Sequence, residues 1–353
     1  MTARAPAGLA ALALAAGLVT AGCASTSRAA SDRATKAIGT RATTTTAAPT
    51  GPTTTSTTLP NPCQKDAPTR SYQPSPLPPS GIAPSGAWAD TIRSNERLRV
   101  GVDENTYYFS FKDPLTGKIT GFEADLARAI AQRIFPEVAA KDIDTKIKFV
   151  TVTTDEKFNV VQDDVVDLTI DVATIGCSRW GLVDFSSPYY DARQALMVRD
   201  DDTQIRGQED LGGKRVCVTS PSSSDTFVSK LSDTFVSQKL PKVQIVRAKT
   251  RTECLTRLQE NSVDAIVLPS SIQAGLLVQD PDMQLVGTLH GFPDAPVENI
   301  YGIAVSKKNR DLTRFVNALL EQWRRDDTLA GLQRKNNLPL ELQRPAPEPL
   351  YLD

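Results

Sequence analysis

Residues 166–198 read VDLTIDVATIGCSRWGLVDFSSPYYDARQALMV. The opening run is rich in apolar and β-branched residues, which predicts a strand ending near Ala173. Thr174, Cys177 and Arg179 follow at its carboxyl end, and an aromatic-rich segment then leads into a second apolar run. A guanidinium offers a rigid pair of donors matched to a carboxylate, while a hydroxyl and nearby backbone N–H groups take up remaining lone pairs. The plain alternative for Arg179 is a surface ion pair, for which Asp184 is an available partner.

Outward from this stretch, strand-like and helix-like patterns alternate. RLRVGVD (97–103) reads as a strand, GFEADLARAIAQRIF (121–135) as an amphipathic helix, KIKFVTV as a strand and TDEKFNVVQDD as a helix. After the opening stretch come the strand KRVCVTS, a helix begun by the capping residues SSSD, the strand KVQIVRAK, the helix RTECLTRLQEN and the strand VDAIVLP. The helix SIQAGLLVQ, the strand MQLVGTL, and IYGIAVSKKNRDLTRFVNALLEQWRRD as strand and long helix complete the order. This alternation predicts an α/β fold with two lobes, joined near Val198–Asp202 and again near Pro296–Tyr301. Ligands of open α/β sheets sit beyond the carboxyl ends of the strands, and clefts between domains are favoured sites.

The frame narrows the function classes. Net charge is −1 and pI about 6.0, which points to neither nucleic acid nor an anionic membrane surface as main partner. With His290 as its one histidine, the chain is not expected to carry a histidine-based metal or catalytic centre. No cofactor and no metal are expected.

The N-terminus, MTARAPAGLAALALAAGLVTAGCAS, has an arginine, an apolar stretch too short to span a bilayer, and small residues up to Cys23. It reads as a signal peptide over 1–22. Cys23 after TAG resembles a bacterial lipobox, with Thr20 where Leu or Val is usual; an ordinary secretory signal cleaved nearby is the alternative. Thr, Pro and small residues dominate onward, as in TTTTAAPTGPTTTSTTLPNP, and cannot bury enough apolar area to fold. Residues 23–87 are therefore expected to be a lipidated tether, reaching roughly 35 Å between Cys23 and Cys63 as a flexible coil. Lobe 1 is expected over 88–199 with a return at 298–336, lobe 2 over 200–297, and a Pro-rich tail over 337–353.

Setting Cys23 aside leaves Cys63, Cys177, Cys217 and Cys254 in an exported chain. Cys217 lies in a predicted strand and Cys254 in the helix about one unit later, elements that should pack together, so these two are expected to pair. Cys63 is then left for Cys177. Four free thiols are the alternative, since the spacings do not resemble a zinc site.

The blocks LRVGVDENTYYFSFKDPLTGKITGFEADLARAIAQRIF, VDLTIDVATIGCSRWGLVDFSSPYYDARQALMV, DLGGKRVCV and VDAIVLP together resemble, in matching order, the polar amino-acid solute-binding proteins of ABC importers. The lipobox, the tether, the cysteine placement and the tail PAPEPLYLD are most similar to the actinobacterial GlnH-like glutamine-binding lipoproteins. That resemblance implies a periplasmic-binding-protein-like fold with two hinge crossings, whose lobes close over a free amino acid. It implies that Thr174 and Arg179 hold the ligand's α-carboxylate and that Asp103 lines the cleft. Where the family has a stacking aromatic this chain has Thr106, followed by Tyr107 and Tyr108, so a tyrosine is expected to supply the wall from a shifted position; Phe109 and Phe111 can equally be core. Ser222, Ser223 and Ser224 stand where the family has a loop at a helix N-terminus, suited to an anionic or amide side chain.

Two departures stand out. The family's acid for the α-ammonium is replaced by Pro269, with Ser270 and Ser271 after it, while Asp171 occupies a usually apolar or small position. An ammonium closed in without a carboxylate is costly. Either Asp171 or Asp103 serves instead, or the ligand is not a standard α-amino acid, or affinity is weak.

The resemblance thus implies a monomeric, lipid-anchored protein at the outer face of the membrane, presenting a polar amino acid to a permease or a membrane sensor. An enzyme on this scaffold would need a general acid or base, for which Asp171, Asp103 and Glu123 are the visible candidates; Glu123 is expected instead to cap or solvate its helix. An interaction protein with a degenerate cleft is the third reading.

Overall fold

Helices pack on two mixed sheets, each with three parallel strands and antiparallel strands beyond them, and the chain passes between the sheets through one pair of strands. The computed structural model describes residues 70–353 apart from Asp294. The signal segment, Cys23 and Cys63 lie outside the described residues.

The first sheet runs Ile147–Thr151, Leu98–Val102, Leu168–Thr169, Ala304–Val305, Asp184–Phe185. Its first three strands are parallel, and Ala304–Val305 returns antiparallel between two neighbours. The second sheet runs Gln244–Ala248, Arg215–Thr219, Ala265–Pro269, Tyr190–Arg199, Met283–Leu285. Ala265–Pro269 is buried along its whole length, as a strand covered on both faces must be.

The link between the sheets is built differently from the sequence reading. Tyr190–Arg199 is one long strand whose second half belongs to the second sheet, while its first half pairs antiparallel with Glu298–Tyr301. The two crossings are therefore hydrogen-bonded to each other, Arg193 opposite Glu298 and Tyr190 opposite Tyr301. Val198 and Arg199, expected at the junction, lie inside the second sheet opposite Gln284 and Met283 respectively.

The helix Phe122–Ile134 buries Phe122, Leu126, Ala127, Ile130, Ala131 and Ile134, a stripe at helical spacing. Gly121 starts it at φ 114°, and a Cβ there would lie 2.4 Å from the carbonyl oxygen of Phe109, so only glycine fits. The helix Arg310–Arg325 buries Leu312, Phe315, Val316, Leu319, Leu320 and Trp323 on one face. Each such large apolar side chain contributes about 1.5–3 kcal/mol on burial.

Both ends of the described chain are part of this body rather than tether and tail. Tyr72 is buried in a cluster with Trp180 and Phe185. Asn317 donates to Ser71 Oγ and to the Tyr72 carbonyl, each at 2.7 Å, and accepts from Ser187 N–H at 2.7 Å. Arg70–Ser71 pairs in parallel with Leu350–Tyr351, and Leu342 accepts from the Tyr190 hydroxyl at 2.7 Å. Tyr72, Leu342 and Ala346 supply the apolar contacts that composition alone made these segments appear to lack.

Cys217 and Cys254 form a disulfide between the strand Arg215–Thr219 and the helix Arg251–Gln259, as their adjacency predicts. Cys177 is exposed and pairs with no other cysteine among the described residues.

Candidate functional site

The strand tips of both sheets converge on a narrow cavity of about 20 Å³, room for about one water. Lobe 1 contributes Thr154, Lys157, Val172, Thr174 and Arg179; lobe 2 contributes Thr219, Ser222, Ser223, Ser224, Arg251, Pro269 and Ile272. The lobes are thus closed, and entry of a larger solute requires them to part. Two roomier hollows lie on outer faces, where Asp225 pairs with Arg247 and Arg128 with Asp144.

Arg179 sits on the short helix Cys177–Trp180 that follows the first-sheet strand tip. Its Nη1 donates to the Thr174 carbonyl at 2.6 Å and its guanidinium lies over the Phe158 ring. Burial pushes its pKa down to about 10, and among the described residues no carboxylate pairs with it. The surface ion pair with Asp184 does not form: Asp184 is itself buried, accepts from the Tyr72 hydroxyl and pairs with Arg310 at 3.4 Å.

Thr174 joins a network that ties both lobes to the crossing strands. Its Oγ1 donates to Asn299 Oδ1 at 3.1 Å, and Ser223 Oγ donates to the same oxygen at 2.6 Å. Ser224 Oγ donates to Gln194 Oε1 at 2.8 Å. Ser222 caps the helix Ser223–Ser237, its side chain accepting from Asp225 N–H, and the positive end of that helix faces the cavity.

The centre of the site is a cluster read only in part from sequence. Arg251 opens the lobe 2 helix Arg251–Gln259 and is 2% exposed. It pairs with two lobe 1 acids, Asp103 Oδ2 at 2.5 Å and Asp171 Oδ1 at 2.8 Å. A cation at a helix N-terminus opposes the helix dipole. Burial also works against its charge, but Asp103 and Asp171 more than offset both and hold its pKa above the ordinary range. Asp171 Oδ2 lies 3.2 Å from Lys157 Nζ, which also donates to the Asp171 carbonyl at 3.0 Å. Burial lowers the Lys157 pKa, with Asp171 acting in the opposite sense.

Glu123, expected at a solvated helix end, is fully buried. It accepts from Val172 N–H at 2.7 Å and from the Tyr189 hydroxyl. Val172 has φ 37°, an unfavourable conformation for a β-branched residue, and the Glu123 carboxyl pins that turn beside Asp171. Burial, and then the charge of Asp171, push the Glu123 pKa up to about 7.

Several expected residues do not reach the cavity. Asp103 and Asp171 are held behind Arg251, so neither stands open to a ligand ammonium in the closed form. Thr106 donates to Asp103 Oδ1 at 3.0 Å and orients that acid. Tyr107 is partly exposed and packs across the lobes on Gly275; Tyr108 packs against the core. Ser270 faces the crossing strand, accepting from Arg193 N–H at 3.5 Å, while Ser271 bonds with the Tyr301 hydroxyl. Arg251, Lys157, Asn299 and Gln194 were missed. Arg251 had a signal, since it follows the carboxyl end of KVQIVRAK; Lys157 meets Asp171 through the packing of lobe 1, and Gln194 and Asn299 become neighbours only through the pairing of the crossing strands.

Residues 98–338 match the bacterial extracellular solute-binding proteins, family 3. The ABC transporter glutamine-binding protein GlnH of Bacillus subtilis is 29% identical over 245 residues, 69% of this chain and 82% of that one. The glutamate-binding protein GluB of Corynebacterium glutamicum is 30% identical over 183 residues, 51% of this chain and 59% of that one. An ancestral arginine-binding protein bound to glutamine superposes with a TM-score of 0.58 at 31% identity, covering 68% of this chain and 97% of that one. With the two-lobe fold and the cleft in place, these matches show that the chain belongs to the bacterial extracellular solute-binding proteins, family 3.

Proposed function

We propose that this protein captures a polar amino acid of the Asp, Glu, Asn and Gln class between its lobes, for ABC import or membrane sensing. Arg179 and Thr174 hold the solute carboxylate, and Ser222, Ser223 and the helix N-terminus behind them receive its polar end. The single observation that carries this reading is Arg179: a half-buried guanidinium at a strand tip with no carboxylate partner among the described residues, lining a cavity. A cation drawn partly out of water gains from an anion set against it, which a solute carboxylate supplies.

The acids that could serve catalysis are committed elsewhere: Asp103 and Asp171 to Arg251, Glu123 to Val172 and Tyr189. This supports binding without chemistry. No helix among the described residues is long and apolar enough to cross a membrane. Export through the leader 1–22 and attachment through a lipidated Cys23 are the expected means of holding the body at the outer face, with a permease or sensor as partner.

Calorimetric titration of the full mature chain with the twenty amino acids tests the reading. Micromolar binding of at least one of Asp, Glu, Asn or Gln, lost in Arg179→Ala, is expected; tight binding that survives Arg179→Ala overturns the carboxylate assignment.

A further inference from the structure

Every ionic side chain that lines the cavity is a cation: Lys157, Arg179 and Arg251. The acids of the cluster, Asp103 and Asp171, belong to lobe 1 and are covered by a guanidinium that lobe 2 brings across. Arg251 also keeps a buried Nε–H without a hydrogen-bond partner among the described residues. Lys157 and Arg251 are paired with Asp171 and Asp103, Glu123 is held by Val172 N–H and the Tyr189 hydroxyl, and Arg179 is left without a carboxylate partner among the described residues. At Pro269 the opposite wall presents a ring with neither donor nor charge.

We propose that Arg251 is the specificity-determining residue of this cleft: by covering Asp103 and Asp171 across the lobes it gives the solute a cationic wall, so the protein selects a dicarboxylate solute. One carboxylate goes to Arg179 and the second faces Arg251 and the N-terminus of Ser223–Ser237. Neutral amides lose the second charge-assisted contact, and a cationic side chain meets like charge where the second carboxylate would lie. Without Arg251 the same two acids are uncovered, and the cleft becomes a seat for a guanidinium or ammonium supplied by the solute. This rests on the reading of the cleft as a carboxylate-binding site, which it refines to one solute class.

The test is calorimetry on the full mature chain with L-glutamate, L-glutamine, L-arginine and succinate. The wild type is expected to bind L-glutamate at least about tenfold more tightly than L-glutamine, a difference of about one charged contact, and to give no heat with L-arginine. In Arg251→Ala the order inverts: L-glutamate weakens about tenfold or more, and L-arginine binding appears. Should Arg251→Ala fail to fold, Arg251→Met supplies the same comparison, since it removes the charge while keeping apolar bulk. Equal wild-type affinity for L-glutamate and L-glutamine, or L-glutamate affinity unchanged in these variants, overturns the inference and leaves the amino-acid reading intact. Succinate binding that depends on Arg251, with none of the twenty amino acids bound, overturns the amino-acid reading and keeps the dicarboxylate one. Silence with succinate and with all twenty amino acids overturns both.

Discussion

Arg251 of the second lobe and Asp171 of the first meet with Nη2 2.8 Å from Oδ1, and both side chains are shut from solvent. The pair joins elements far apart in sequence and sits where the lobes close. Lys157 completes it from the other side of Asp171, so the acid is held between two cations.

Asp171→Asn is therefore expected to destabilise the folded body by about 3–5 kcal/mol, because it strands Lys157 and half of Arg251 in a buried site. Urea unfolding checks it: the midpoint falls while the slope stays unchanged. A change within about 0.5 kcal/mol, the range of surface substitutions, would show that the cluster is hydrated and open.

Glu123 sets a pH dependence whose sign follows from its environment. Its folded pKa is raised from 4.5 to about 7 by burial and Asp171. Between those values the folded state keeps a proton that the unfolded state has lost, so this group's contribution to stability falls as pH rises through the window and levels off above 7. The shift corresponds to something on the order of 3 kcal/mol. Glu123→Gln retains a carbonyl oxygen for Val172 N–H and Tyr189 and cannot ionise. Its unfolding midpoint should exceed that of wild type at pH 8 and match it near pH 4.5; equal midpoints at both values would remove Glu123 as the titrating group.

The Cys217–Cys254 bridge closes a sequence separation of 37 within the second lobe. Replacing both cysteines by serine should cost about 2–4 kcal/mol, read as a lower thermal midpoint. Alkylation followed by intact mass should leave these two thiols unmodified until a reductant is added.

Asn317 carries the attachment of the N-terminal segment to the long helix through hydrogen bonds with Ser71, Tyr72 and Ser187. Asn317→Ala leaves buried polar groups unpaired on both sides and should cost about 2–3 kcal/mol. Protease sensitivity near residues 70–80 should rise with it. Unchanged cleavage there would mean that the segment is held without Asn317, by its strand pairing with Leu350–Tyr351 and the Ser71 hydroxyl's bond to the Phe185 carbonyl.

Much of the fold was legible because it depends on local pattern. The stripe Phe122, Leu126, Ile130, Ile134 follows helical period, and VDAIVLP is continuous apolar sequence bounded by polar residues, as a covered strand must be. Arg179 and Thr174 were readable as a pair only through the family resemblance, since spacing alone left an ion pair with Asp184 as the plainer use; the structure sets the Arg179 guanidinium on the Thr174 carbonyl. Tyr72 and the tail from Leu342 to Tyr351 were not legible, since their composition resembles a linker and their anchors, Trp180 and Asn317 for Tyr72 and Tyr190 for Leu342, lie far along the chain.

Local pattern was enough for the two α/β lobes and for the disulfide between neighbouring elements. The role of Asp171 was set by the packing of the lobes. As a residue in a strand it reads as a candidate partner for a ligand cation, and nothing near it in the chain says otherwise. Charge pairing acts through space and falls off over a few ångströms, so its partner was chosen by the closing of two lobes that carry Arg251 from 80 residues away.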